Sequence, residues 1–265
     1  MSEADLPVAL EAARAGAAEV ASGVDRRVEV RYKADADPVT EVDHRSESAI
    51  LDVISRRRPR DPVLGEERGG RLPEDGRVWL VDPLDGTTNF VHGFPWVSVS
   101  VALWIDNAPA VGVVLDVITG DEYTAVTGGG ARANGSPIAV SSVEDFGEAL
   151  VVTGFPYEWR ERIEVCDTRF RRVLGTAQGV RRLGAASLDM CMVARGRMDG
   201  YWEEDLPPWD MGAGTLLVTE AGGTVSDRSG RPVGPSGGFV VASNGRIHHQ
   251  FLDTLGEPGL TERLP

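Results

Sequence analysis

Apolar residues recur at three- and four-residue intervals through the alanine-rich positions 6–22, and Gly23 closes the run, which predicts a first α-helix. A second helix is predicted over 41–57. Its amphipathic stretch, 46–54, runs into Arg56-Arg57-Arg58-Pro59-Arg60, a basic end that complements a helix dipole better than it makes a partner site. Between the two helices, residues 33–43 are polar and rich in Asp, too polar for core, and predict a mobile loop. Residues 78–81 then alternate and branch as a buried strand does. Residues 96–105, 110–118 and 122–127 also alternate, joined by turn residues at 106–107 and 119–121, and predict an antiparallel meander. Beyond Ser141 the rhythm changes. Short apolar strands at 149–153, 180–183 and 239–243 are interleaved with helical stretches at 163–174, 186–195 and 211–221, as in α/β layers. The expectation is a mixed α+β chain in two parts, residues 1–140 built on an antiparallel sheet and 141–265 on a second, mixed one.

Composition narrows this picture. A chain of 265 residues with 42% apolar content holds one large domain or two modest ones sharing a core. A formal charge of -14 with no long basic run argues against a protein that works by neutralising nucleic-acid phosphates. Cys166 and Cys191 have no CxxC spacing, so neither a zinc site nor a disulfide framework is expected, and a reducing cytoplasm is the natural setting. No stretch approaches 18 uninterrupted apolar residues, and acids rather than a basic leader stand near the N-terminus, so membrane insertion and export are not expected. The glycine runs at 128–130 and 234–238 lack the strand-to-helix setting of a nucleotide loop.

Candidate chemistry concentrates in Trp79-Leu80-Val81-Asp82-Pro83-Leu84-Asp85-Gly86-Thr87-Thr88-Asn89. An apolar strand runs into two carboxylates, which a core cannot hold unpaired without several kcal/mol of cost. Gly86-Thr87-Thr88 then leaves backbone amides bare at a helix-type start, where anions are favoured. A strand followed by Asp-Pro and Asp-Gly turns is the simpler alternative. Upstream, Leu64-Gly65-Glu66-Glu67 repeats the same logic, and downstream Trp209-Asp210-Met211-Gly212-Ala213-Gly214 sets an acid before a helix of small residues. Asp210 could be a plain N-cap, but a backbone as bare as Gly212-Ala213-Gly214 implies close approach to something. Glu66, Asp82, Asp85 and Asp210 form an all-oxygen set suited to Mg²⁺, and paired ions of that kind serve phosphoryl displacement. His44, His92, His248 and His249 lack ligand spacing, so structural or surface roles are expected for them; the two cysteines lie in apolar helical stretches and are expected to be buried packing residues; and residues 35–45 lack an EF-hand's alternating ligands.

Taken together and in this order, the three acidic motifs resemble the inositol monophosphatase family, and the resemblance extends from the first helix to Asn244, through the Gly154-Phe155-Pro156-Tyr157 turn and the helix end at 218–223. It implies a layered αβαβα sugar-phosphatase fold. Glu66, Asp82 and the Leu84 carbonyl would hold one Mg²⁺ and Asp82, Asp85 and Asp210 a second, with a third, weaker ion on Glu66 and waters. Thr87, paired with Asp43, would help Glu66 orient and deprotonate the attacking water, while the Gly86 and Thr87 amides carry the phosphate. Lys33 and Asp37 would close near the metals. Glu203 would accept hydrogen bonds from substrate hydroxyls, in a pocket lined by Gly184, Ala185 and Ala186 and bordered by Asp210, although three successive acids at 203–205 can equally be a solvated surface. Pro207 stands where the family often has a polar residue. The implied activity is Mg²⁺-dependent hydrolysis of inositol-1-phosphate or a similar small polyol or sugar monophosphate, lithium-sensitive, by a homodimer with a small-molecule partner and neither nucleic acid nor membrane. Histidinol-phosphate, fructose-1,6-bisphosphate or 3'-nucleotide hydrolysis on the same metals is the alternative, and a regulatory binding protein a third.

Overall fold

Two helices cover one face of the N-terminal sheet, the first through a face of alanine, valine and glycine and the second through valine and isoleucine with three buried polar residues, Asp43, Ser46 and Glu47. In the computed structural model, which describes residues 2–24, 30–34, 37–156 and 159–256, the helices are α1 (Leu6–Gly23) and, after β1 (Val30–Ala34) and β2 (Asp37–Thr40), α2 (Glu41–Arg57). The segment expected to be a loop is largely paired: β1 and β2 form an antiparallel ladder in which Val30 faces Thr40 and Arg31 faces Val39. Alternation within this polar segment escapes a reading based on hydrophobicity. Thr40 caps α2, accepting from Val42 N at 3.1 Å while its own amide donates to Asp43 Oδ2 at 2.9 Å, so the polar end of the segment is a buried capping box. The basic run after α2 binds intramolecularly, Arg57 pairing with Glu11 and Arg58 with Asp5 at 2.7 Å.

The main sheet follows as β3 (Val63–Gly65), β4 (Arg77–Asp85), then after the short α3 (Thr87–His92) β5 (Ser98–Ile105), β6 (Ala108–Asp116), β7 (Glu122–Val126), β8 (Gly130–Ala133) and β9 (Ser136–Pro137). These seven strands lie side by side in chain order, antiparallel from β4 onward. The antiparallel expectation is corrected at one edge, where β3 runs parallel to β4 and so sets Gly65 beside Val81.

In the second half come β10 (Leu150–Thr153), α4 (Ile163–Thr176), β11 (Gly179–Arg181), α5 (Ala186–Ala194), β12 (Gly200–Leu206), α6 (Pro208–Glu220), β13 (Thr224–Ser226), β14 (Gly238–Ser243) and α7 (His248–Leu255). Their sheet has the order β11-β10-β12-β14-β13, parallel in its first two pairings and antiparallel in the last two.

The period-2 alternation of β4 decides the layering. Trp79 and Val81 join α1 and α2 in one core, whereas Val78 and Leu80 join α5, α6 and the inner face of the second sheet in another. Val151, Trp202 and Val241 on the outer face of that sheet meet α7 and Val173 of α4 in a third. The resulting order is helices, seven-stranded sheet, α5 and α6, five-stranded sheet, helices, as the resemblance implies.

The bare stretch of α6 does approach something closely, and it is the protein's own interior. A Cβ on Gly212 would stand 2.8 Å from Leu80, one on Gly214 2.6 Å from Met190, and one on Gly112 of β6 2.8 Å from the Ala213 carbonyl. Gly112→Ala is therefore expected to cost about 1–3 kcal/mol, since two backbones must part to admit a methyl group. Chemical denaturation at constant m-value would measure it.

Candidate active site

Asp82 and Asp85 sit at the buried end of β4, 2% and 6% exposed, where the ladder to β5 slips its register between Asp82–Ser100 and Asp85–Ser98. The irregularity re-aims the strand's end, as bulges do beside functional sites. The Asp82 carboxylate accepts the Leu84 amide at 2.9 Å, and Ser46 Oγ donates to the Pro83 carbonyl at 2.7 Å, fixing the turn. Gly86, at φ +90°, then turns the chain into α3.

The Thr87 hydroxyl lies 3.0 Å from Asp43 Oδ1 and 3.0 Å from the Leu84 carbonyl, two acceptors for its single proton. Asp43 is fully buried, and its other oxygen takes the Thr40 amide and hydroxyl. The α2 capping box thus continues directly into Thr87. Lys33 and Asp37 fall on β1 and β2, but their side chains are outside the described residues, as is Tyr157. Glu66 follows β3, half-buried, its amide donating to the Val81 carbonyl at 3.2 Å. A buried residue not anticipated from the sequence, Glu47 of α2, holds the turn beyond it by accepting the Glu67 and Arg68 amides, both at 3.1 Å.

Asp85 is the most heavily bonded of the acids. It accepts from Ala186 N (3.1 Å), Ser187 N (2.8 Å), Ser187 Oγ (2.6 Å) and Ser98 Oγ (3.3 Å). A carboxylate from the first sheet therefore caps the N-terminus of α5, a hundred residues away in sequence. Ser98 and Ser187 were not legible as site residues because neither adjoins an acidic motif. Ala185 is 1% exposed, so of the three-residue strip it is the member turned away from the cavity.

Asp210 lies in the first turn of α6, whose N-cap is Pro207, so it is not a helix cap. Burial pushes the Asp210 carboxyl well above its usual range, with Asp85, Glu66 and Glu203 adding repulsion. Burial does the same to Asp82, reinforced by Glu66, Asp210 and Asp85, and lifts Asp85 against its hydrogen bonds. Among the described residues, no three acidic, histidine or cysteine side chains already close on one ion-sized point. Asp82 and Asp85 are buried and Glu66 and Asp210 half-buried, and what the four share is oxygen-only chemistry and mutual repulsion, the donor character that a hard divalent cation relieves.

A cavity of about 400 Å³ opens on this cluster. Asp85, Gly86, Thr87, Gly184, Ala186, Glu203 and Asp210 all line it, while Glu66, Asp82, Leu84 and Asp43 do not. The lining also includes Phe155, from the turn named in the sequence, and Trp159 and Arg182, which the sequence did not single out. Glu203, on β12, takes the Tyr201 hydroxyl on Oε2 at 2.6 Å. Gly154 faces it so closely that a Cβ there would fall 1.9 Å from Glu203 Oε2. Burial pushes the Glu203 carboxyl up to about 7, against Tyr201 and Arg182, which pull it down. The next two acids are not a bare solvated run: Glu204 is 6% exposed and pairs with Arg162 and Arg169, and Asp205 pairs with Arg162.

The expected structural roles hold for two other groups. His248 is bracketed by Ser226 Oγ (2.8 Å) and Ser243 Oγ (2.9 Å), and Cys166 and Cys191 are buried free thiols.

Comparison with known proteins agrees with this geometry. The family model for the inositol monophosphatase family matches residues 2–257. The chain is 41% identical over 252 residues to an inositol-1-monophosphatase of Synechocystis sp., covering 94% of this chain and 88% of that protein. It is 40% identical over 268 residues to the Nus factor SuhB of Pseudomonas aeruginosa, covering 98% of each. A solved inositol monophosphatase from Anabaena (Nostoc) sp. superposes with a TM-score of 0.86 at 37% identity, covering 96% of this chain and 95% of that one. Motifs, layers and relatives agree, and the chain belongs to the inositol monophosphatase family.

Proposed function

We propose that this protein is a Mg²⁺-dependent phosphomonoesterase acting on inositol-1-phosphate or a similar small polyol or sugar phosphate. The observation that carries the reading is the clustering of mutually repelling acids, Asp82, Asp85 and Asp210, beside a cavity that Glu203 also lines. Glu66, Asp82, the Leu84 carbonyl, Asp85 and Asp210 would hold two or three ions. Magnesium bound there supplies positive charge that polarises a phosphoryl oxygen and makes water more acidic.

The chain's own groups do the rest. The Gly86 and Thr87 amides receive the phosphate. The Thr87 hydroxyl, donating to Asp43 Oδ1, keeps its lone pairs for a water molecule in the cavity, and Glu66 assists in taking that water's proton. Lys33 and Asp37 approach from the β1–β2 segment. Glu203, held by Tyr201, accepts hydrogen bonds from hydroxyls of the leaving alcohol. The enzyme works in the cytoplasm as a lithium-sensitive homodimer.

A phosphate-release panel of inositol-1-phosphate, histidinol phosphate, fructose-1,6-bisphosphate and adenosine 3',5'-bisphosphate tests the reading; release from none of them would refute it. Glu203 adds a pH signature. Its carboxylate form, the better acceptor, grows as pH rises through about 7, so KM for a polyol phosphate is expected to fall between pH 6 and 8. Glu203→Gln should raise KM and flatten that dependence. An unchanged profile would remove Glu203 from substrate recognition.

The likeness to the SuhB Nus factor favours a second, regulatory role by association. It is compatible with catalysis, since binding alone has no use for a cluster of mutually repelling acids.

A further inference from the structure

The cavity is larger than a phosphate group needs, and its charges are unevenly placed. Among the described residues five acids line it, Asp85, Glu203, Glu204, Asp205 and Asp210, against one cation, Arg182. Two other arginines nearby are paired with these acids, Arg162 with Glu204 and Asp205 and Arg169 with Glu204, and Arg160 stacks over Trp159. Arg182, by contrast, makes no ion pair or hydrogen bond among the described residues, although it is near enough to Glu203 to draw its charge out. Its guanidinium lies on the backbone of Gly184, where a Cβ would stand 2.4 Å from Nη1, so the bare glycine admits it to the wall.

We infer that Arg182 is a specificity-determining residue that reads a second anionic group on the leaving alcohol. Within the polyol and sugar phosphates of the proposed function, on which this inference rests, the substrates it favours are those carrying another phosphate or a carboxylate away from the scissile ester. The two poles divide the recognition. Glu203 accepts from hydroxyls, while the Arg182 fork donates to an anion, a charge-assisted contact of the kind arginine makes in two parallel hydrogen bonds. Trp159 and Phe155 line the same cavity and add apolar surface for the carbon frame of the alcohol. The pairs of Glu204 and Asp205 with Arg162 offset the charges of those two acids.

Steady-state kinetics on the Mg²⁺-loaded enzyme test this with fructose-1,6-bisphosphate as the doubly anionic probe and inositol-1-phosphate as the singly anionic one. The wild type is expected to cleave the bisphosphate at least as efficiently in kcat/KM. Arg182→Gln should lower the ratio of bisphosphate to inositol-1-phosphate efficiency by about tenfold or more, through KM rather than kcat, and Arg182→Lys should restore part of it. The exposed position of Arg182 leaves folding out of the comparison. An unchanged ratio, or a loss shared equally by both probes, would overturn the inference and reduce Arg182 to a counter-charge for Glu203. If the wild type releases phosphate from neither probe nor from the rest of the panel, the phosphatase reading itself fails, a distinguishable result.

Discussion

Asp210→Asn is expected to lower Mg²⁺-supported phosphate release by roughly a thousandfold, about 4 kcal/mol of transition-state stabilisation, while raising the melting temperature in chelator. The two effects have one cause. Asp210 stands, partly desolvated, within range of Asp82, Asp85 and Glu66, and each added negative charge there costs folding free energy. An amide keeps the shape and removes a charge, so the metal-free protein gains and the loaded enzyme loses. Activity assays and thermal melts on one preparation check it; full activity would remove Asp210 from the ligand set.

Asp85→Asn separates the acids by a different criterion. An asparagine presents one oxygen and one NH₂ to the donors from Ala186, Ser187 and Ser98, so at least one amide hydrogen must confront an N–H. This variant should lose activity and also about 1–3 kcal/mol of stability. A melting temperature that does not fall would undo the capping role given to Asp85.

The second large effect is on stability. For Asp82, Asp85 and Asp210 the folded carboxyls hold protons to higher pH than the unfolded chain does. Between the ordinary carboxylate range near 4 and the raised folded values, the native state binds more protons, and stability falls as pH rises. In chelator the protein should therefore melt lower at pH 7.5 than at pH 5.5. Saturating Mg²⁺, about a hundredfold above its Kd, should add roughly 2.7 kcal/mol, or about 5–10 °C, with most of the gain at the higher pH. Asp210→Asn should show a shallower pH slope and a smaller response to metal. Equal melting temperatures with and without Mg²⁺ would speak against an ion at this cluster.

Much of this was legible because the chemistry breaks the local pattern. Asp82 and Asp85 interrupt a buried strand, and Asp210 precedes a helix too bare for an exposed surface; such conflicts between burial and polarity survive in a one-dimensional reading. The meander at β5 to β7 was legible for the opposite reason, an uninterrupted alternation between clear turns. The missed elements fail both criteria. β12 contains Glu203, Glu204 and Asp205 in succession, and only Arg162 and Arg169, arriving from α4, make the middle acid a buried one. The hairpin at β1 and β2 mixes single apolar residues, Val30, Tyr32 and Val39, with charged and turn-forming ones, which gives no clear apolar stripe. Ser187, Glu47 and Arg182 owe their positions entirely to the packing of distant segments, and no spacing rule links Ser187 to an acid 102 positions earlier.

The capping of α5 by Asp85 bears on how a fold like this could outlive its activity. Asp210 contributes repulsion to the folded chain, so its loss carries no structural penalty and even a small reward. Asp85 is tied to the helix that joins the two sheets, so its loss is penalised twice. A descendant that drifted from catalysis to pure binding would be expected to shed Asp210 early and keep Asp85 late. Such a retired enzyme would betray itself by which acid it had lost, well before its overall resemblance to working relatives faded.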